Sequence, residues 1–306
     1  MELRVLHYFL SVAREQSISA AAKALHLSQP TLSTQLKALE DELGKQLLIR
    51  GTKGSRKVVL TEEGMILRKR AEEILSLVQR TEDEISCSDE VIVGDIYIGA
   101  GETDTVRFIS RTAREMQKKY PDIHFHISSG NAEYVLEQLD KGLIDFGLLF
   151  QDIDFQKYES LYLPFKDSWG VLMRRDSPLA GKATIIPEDL WDKPLITSQQ
   201  RGDDQYLSRW MKKEFTNLNI VATYNLVFNA SLLVDEGLGY ALCFDKLINT
   251  RGSNLCFRPL SPSVEAPAYF IWKKYQVFSK AAGKFLEQLK KSLKTIPDYR
   301  DTDSIS

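Results

Sequence analysis

Cysteine is scarce in this chain: Cys87, Cys243 and Cys256 are the three among 306 residues. An odd number without metal-type spacing gives neither a disulfide framework nor a zinc motif. Cys243, in GLGYALCF, and Cys256, in LCF, read as small buried hydrophobes on strands. Histidine is nearly as rare, with four: His7, His26, His124 and His126. The last two alternate along IHFHI and share one strand face, but no third ligand is evident, so no metal is expected. Long apolar runs are absent, and nothing approaches the roughly 20 residues that span a bilayer. MELRVLHYFLSVAREQ lacks a signal-peptide layout. Its Leu3, Leu6, Leu10 and Ala13 make one face of an amphipathic helix, interrupted by Glu2, Arg4, Arg14 and Glu15. A cytoplasmic protein without membrane contact is the expectation. No G-x-S-x-G, P-loop or GxGxxG stands in its proper context, and GAGETD lacks the third glycine. Without a catalytic constellation, neither an enzyme nor a cofactor is expected. At 43% hydrophobic and 27% charged, the chain has apolar mass for two or three globular domains.

Acidic residues are missing from Gly44 to Leu60, where Lys45, Arg50, Lys53, Arg56 and Lys57 are all basic. Residues 1–60 hold 9 Lys+Arg against 5 Asp+Glu, a net of +4 in a chain of −2. Positive charge is therefore concentrated in one small domain, as phosphate binding requires. Just before this run lies SISAAAKALHLSQPTLSTQLKALEDEL, read as a helix over Ser19–Leu25, a tight turn, and a second helix after Ser28. Ser17 or Ser19 and then Ser28 supply N-caps, and Pro30 sits in a first turn where a missing N–H costs nothing. Leu32, Leu36, Leu39 and Leu43 form one apolar stripe. The other face carries Pro30, Thr34 and Lys37, flanked by Thr31 and Ser33. Glu40, Asp41 and Glu42 at the far end would repel phosphates, so the N-terminal half points at DNA. The pattern also suits an ordinary helical hairpin. The basic, glycine-containing turn between Leu47-Leu48-Ile49 and Val58-Val59-Leu60 favours a helix-turn-helix with a wing. Candidate DNA contacts are Ser28, Gln29, Pro30, Thr31, Ser33, Thr34, Lys37, Arg50, Lys53, Arg56 and Lys57.

From Thr61 to Ser86 a long helix is expected, capped by Thr61. Leu67, Ala71, Ile74, Val78, Thr81 and Ile85 recur at heptad spacing, which suits a dimer seam better than packing within one domain. The polar stretch 86–90 is a hinge. Strands and helices then alternate: strands at 91–100, 123–128 and 146–150, with helices starting near Val106 and Asn131, argue for a parallel sheet with helices on both faces. A second lobe begins near Ser168, with strands at 169–173, 194–197, 220–226 and 240–244 and helices near 203–213 and 229–236. The chain returns through a strand at 268–272 and a last helix. The domains are thus 1–60, a winged helix-turn-helix; 61–90, linker helix and hinge; 91–293, a two-lobed α/β domain with lobe 1 about 91–165 and 268–293 and lobe 2 about 166–267; and 294–306, a polar tail.

Residues 1–87 resemble LysR-type transcriptional regulators through LHYFLSVAREQSISAAAKALHLSQPTLSTQLKALEDELGKQLLIR and LTEEGMILRKRAEEIL. The length and element order beyond fit that family's effector domain, so the resemblance covers nearly all of the chain. It implies a dimer through the long helix and a sensor domain of periplasmic-binding-protein architecture; the expected assembly is a dimer or a tetramer, with a dimer of dimers favoured. Two departures stand out: Thr34 replaces a common arginine, and Leu48-Ile49 a common Phe-Glu pair. Some members sense oxidants through a cysteine pair, a reading to set against the buried strand positions of Cys243 and Cys256.

Ligands in such sheets lie outside the carboxyl ends of strands. That rule selects the loops holding Gly101, Glu102 and Thr103; Ser128 and Ser129; Ser198, Gln199 and Arg201; and Asn229. Donors at helix N-termini favour an acid group, and Glu102 favours a donor or cation, so an amphoteric effector is expected. The reading is a DNA-binding regulator of α/β class whose partners are promoter half-sites, a small-molecule effector, further copies of itself and RNA polymerase. The rival is a small-molecule-binding or enzymatic α/β protein with an N-terminal assembly module.

Overall fold

A computed structural model of the protein describes residues 1–51, 57–86, 92–150, 154, 156–199 and 207–296. The chain divides into two compact units, Met1–Cys87 and Ser88–Ser306.

The first unit opens with α1 (Leu3–Glu15), α2 (Ile18–Ala24) and α3 (Gln29–Leu43). Ser17 caps α2 by accepting from the Ala20 N–H, and Ser28 caps α3 by accepting from Thr31 N–H. Buried Ala21 and Ala22 leave α2 slim enough to pack closely, and Leu32, Leu36 and Leu39 meet Val5, Phe9 and Val12 in one core. The apolar stripe ends one residue early. Leu43 is 42% exposed, at the point where Gly44, in the left-handed region at φ +63°, turns the chain off the helix. Glu40 also differs from the simple electrostatic expectation. Its carboxylate accepts from the N–H groups of Leu47 (2.7 Å) and Leu48 (3.0 Å) and so holds the start of the wing. The wing strands β1 (Leu48–Arg50) and β2 (Val58–Leu60) pair antiparallel, with Leu48 buried and Ile49 exposed in the ordinary alternation of a strand.

Thr61 starts α4 (Glu62–Ser86), accepting from Gly64 N–H and donating to the Gln46 carbonyl. Gly64 is needed by clearance: a Cβ there would lie 2.2 Å from the Leu47 carbonyl oxygen, which the Thr61 N–H holds in place. The first half of α4 packs within its own unit. Leu67 lies against the α1–α3 core and Ala71 is completely buried, so Ala71 cannot face a partner subunit. Farther along, Ile74 and Val78 are half-buried, Thr81 is exposed and Ile85 is 79% exposed.

In the second unit the expected parallel sheet is mixed. β3 (Gly94–Ala100) pairs in parallel with β4 (Ile123–Ser129) and β5 (Phe146–Leu149), through α5 (Val106–Lys119) and α6 (Ala132–Asp140). The next strand is a single 17-residue β6 (Tyr158–Arg174), where a strand was expected only from Trp169. β7 (Leu195–Ser198), β8 (Ile220–Tyr224) and β9 (Tyr240–Phe244) flank its far half, joined by α7 (Val227–Asp235). β10 (Leu255–Pro259) pairs with the same half. β11 (Glu265–Lys273) returns antiparallel along β6 and also pairs with β5. Strand order is β4-β3-β5-β11-β6-β9-β7-β8, so β6 and β11 belong to both lobes.

The last helix, α8 (Lys280–Leu293), covers lobe 1 with α5, placing Phe285 against Phe125, Phe146 and Phe270. Burying each such ring contributes about 1.5–3 kcal/mol. The helix expected at 203–213 is described only over 207–211, and the hinge 87–90 and the tail beyond 296 lie outside the described residues. Among the described residues no helix is long and apolar enough to cross a membrane.

Gly64→Ala should loosen the first unit by about 1–3 kcal/mol, because the Leu47 carbonyl cannot retreat. Hydrogen exchange on α1–α3 of the full chain checks this. Unchanged protection would show that the backbone adjusts freely.

Candidate functional site

On α3 the buried leucines leave Gln29, Pro30, Thr31, Thr34 and Lys37 on the exposed side, with Ser33 half-buried. Ser28 and Thr31 are coupled: their hydroxyls lie 2.7 Å apart while Ser28 Oγ also caps the helix. Their first role is thus to shape the N-terminus of α3. The Ser19 hydroxyl donates to Gln29 Oε1 at 3.0 Å. A carbonyl oxygen has two lone pairs, so this bond orients the amide and leaves one acceptor and both N–H donors for a base edge. Ser19 was visible in the sequence only as a possible cap. Lys57 is exposed at the base of the wing, while Lys53, Arg56 and the side chain of Arg50 lie outside the described residues.

In the second unit a cavity of about 50 Å³ lies between the lobes. Gly101, Glu102, Gly130 and Phe150 line it from lobe 1; Trp169, Ser198, Tyr224, Asn225, Leu226, Val227, Phe244 and Leu247 line it from lobe 2. Phe244 forms the aromatic wall with Trp169 (4.4 Å between ring centres) and Phe150 (5.7 Å). Three of the four selected loops reach this region, though not through every residue expected; the fourth, at Asn229, does not, and residues 225–227 stand there instead. Thr103 is buried away from the cavity: its hydroxyl donates to Asp167 on β6 and accepts from Thr105 N–H. Ser128 and Ser129 end β4, and the following Gly130 lines the cavity instead. The Gln199 side chain donates to Thr223 Oγ1 at 3.2 Å, leaving Ser198 as that loop's lining residue. Asn229 is exposed in the first turn of α7, which begins two residues before it, so the helix N-terminus is built from 225–227. Arg201 lies outside the described residues.

Glu102 is the polar group that joins the two walls. Its Oε2 accepts from the N–H of Val227, at the start of α7 in the opposite lobe. Asp167 fixes the loop behind it. Burial raises the Asp167 carboxyl above the ordinary carboxylate range, against the lowering effect of its bonds from Thr103 and the Asp104 backbone.

Cys243 and Cys256 are free and buried. Burial, with Asp245 adding to it, pushes the Cys243 thiol up to about 12, so it holds no thiolate at neutral pH. His126 Nε2 lies 2.8 Å from Asp95 and its ring stacks on Tyr97, while His124 lies 3.7 Å from the same carboxylate. Among the described residues no group of three His, Cys, Asp or Glu side chains is placed to hold a metal.

Residues 3–65 match the model of the bacterial regulatory helix-turn-helix protein, lysR family, and residues 90–294 that of the LysR substrate binding domain. The HTH-type transcriptional regulator YvbU of Bacillus subtilis is 26% identical over 292 residues, spanning 95% of this chain and 98% of the relative. A hydrogen peroxide-inducible genes activator of Pectobacterium carotovorum subsp. carotovorum is 29% identical over 196 residues, 64% of each chain. In fold, the chain is similar to full-length CbnR complexed with its target DNA, with a TM-score of 0.74 at 22% identity, covering 95% of this chain and 100% of that one.

The raised pKa of Asp167 sets a pH dependence. A carboxyl with a raised folded pKa contributes its full stability below the unfolded value, near 3.8, and loses it as pH rises through the folded one. Asp167→Asn keeps an acceptor for Thr103 without the charge. Its stability relative to wild type should therefore increase from pH 4 towards neutrality, as read by urea unfolding at several pH values. A shrinking difference would contradict the burial argument.

Proposed function

Because this chain belongs to the LysR family of bacterial helix-turn-helix transcriptional regulators, we propose that it binds spaced promoter half-sites as a dimer of dimers in the cytoplasm and responds there to a small amphoteric effector. The family is one of regulators, not enzymes. The observation that carries the DNA reading is the exposed N-terminal face of α3, with its own cap in place and Gln29 oriented by Ser19. Gln29 and Ser33 are the base-reading candidates; Thr31, Thr34, Lys37 and the basic residues of the wing set register on the phosphates. Thr34 is exposed and presents only a short hydroxyl where an arginine would reach farther.

The effector cleft lies between lobes that share two strands, so a ligand gripped by both changes the angle between them, and through it the DNA bend or contact with RNA polymerase. The N-terminus of α7 suits an acid group and Glu102 suits a cation or donor. Arg107, Arg111, Arg114 and Lys246 line an open groove of about 500 Å³ that shares Leu247 with the cleft, and their field would draw an acid group inward. The burial of Cys243 and Cys256 speaks against a peroxide signal passing through these two thiols.

Self-association is assigned to the second half of α4, where Ile74, Val78, Thr81 and Ile85 lack cover from their own unit sufficient to bury them. The outer strands of the second unit add further apolar surface, with Ile127 on β4 and Val221 on β8 both exposed.

Binding to a promoter fragment should weaken steeply with salt, by about 0.9 log units per log unit of salt for each phosphate neutralised. Gln29→Ala should relax the preference at one position per half-site by about 1–3 kcal/mol. A slope near zero would reject the regulator reading; an unchanged sequence profile in Gln29→Ala would reject its base contact. Separately, Ile74→Glu with Val78→Glu places unpaired charge in the seam and should dissociate the assembly while the second unit stays folded. Sedimentation velocity decides that point, and an unchanged mass would place these side chains inside a single chain.

A further inference from the structure

The effector cleft holds a carboxylate of the protein's own. Glu102 reaches from lobe 1 to the backbone N–H of Val227 in lobe 2, a bond between residues 125 positions apart. The position before α7 is Leu226, whose side chain makes no cap, whereas Ser17, Ser28, Asn131 and Ser279 cap their helices locally. The donor at the head of α7 is thus satisfied only when the lobes are together. Among the described residues no cation pairs with Glu102, so this N–H and the field of the helix are the partners its charge is given. Its loop is fixed from behind, since Thr103 donates to Asp167 on the shared strand β6. The space left between the walls, about 50 Å³, is small beside the few hundred Å³ of an ordinary metabolite pocket.

We infer that Glu102 is a bolt: a tethered anion that keeps the cleft shut by occupying the α7 N-terminus, so that an effector is admitted only by taking that position from it. This rests on reading the cleft as the effector site and adds how the site is controlled. An amphoteric molecule is suited to the exchange. Its acid group takes the Val227 N–H that Glu102 gives up, and its cationic group pairs with the released carboxylate. A plain monoanion can do the first but leaves Glu102 half-buried and unpaired, so it competes poorly in the wild type.

The test is hydrogen exchange of the full chain over 225–235, with sodium acetate as the probe, for wild type, Glu102→Ala and Glu102→Gln. Glu102→Ala should raise exchange at the start of α7 about tenfold, and acetate should restore its protection saturably while leaving the wild type unchanged. Glu102→Gln keeps a neutral acceptor, is nearly isosteric, and should fall between the two. Protection unchanged in both variants, or acetate protecting wild type as strongly as Glu102→Ala, overturns the bolt. Exchange rising throughout the unit in Glu102→Gln would also overturn it, because the residue would then be a general packing element. Promoter binding is measured on the same samples. Normal DNA binding with unaltered exchange rejects the bolt alone, and lost DNA binding in the wild type rejects the regulator reading itself.

Discussion

The second unit depends on a two-stranded ribbon. β6 runs unbroken from Tyr158 to Arg174, and β11 follows it antiparallel from Lys273 back to Glu265. Lobe 1 attaches to one end through β5, and lobe 2 to the other through β9 and β10. Separating the lobes completely would expose ladder N–H and C=O groups that have no other partner, a cost no ligand of metabolite size returns. Twisting the ribbon is far cheaper. Its register slips between Pro267 and Ala268, opposite Lys166 and Leu163, and a bulge at that place concentrates bending there. Asp167 follows directly on β6 and holds Thr103, so the hinge and the cleft loop are mechanically one part.

The two units divide the work of charge. The basic excess lies in residues 1–60, and the rest of the chain is net acidic. In the first unit the acids are used locally rather than spread over the reading face. Glu40 turns inward to the wing and Glu63 pairs with Lys45 at 3.5 Å, so the exposed side chains of the N-terminal half of α3 are neutral or basic, while the exposed acids Asp41 and Glu42 stand at its far end. In the second unit acids instead sit near the cleft, at Glu102 and Asp167, and cations line the groove beside it.

Local signals in the sequence located most elements, because caps, prolines and periodic leucines act over a few residues. Ser28, Asn131 and the alternation of Ile96 and Ile98 are of this kind. What could not be read depended on distant partners. The near half of β6 was hidden because Pro164, Lys166 and Asp167 look like a loop; a bulge absorbs the proline, and a hydroxyl 64 residues away binds the acid. Asn229 resembles a helix cap, yet α7 begins earlier because its first donor is met by Glu102 from the other lobe. Heptad spacing along α4 did not distinguish its two ends: Ala71 belongs to the core of its own unit and Ile85 does not. The convergence of three of the four loops followed from topology, but which side chain of each loop turns inward was set by tertiary bonds.

Glu40 bears on how this family of readers can be retuned. With one carboxylate on the last turns of α3 gripping two consecutive amides at the root of the wing, the helix and the wing strands form a single calliper of fixed span. On the reading proposed above, side chains at 29, 33, 34 and 37 are then interchangeable tips on a rigid gauge. New operator preferences could be grafted there, from relatives that carry an acid at the same place, without recalibrating the distance between groove and backbone contacts.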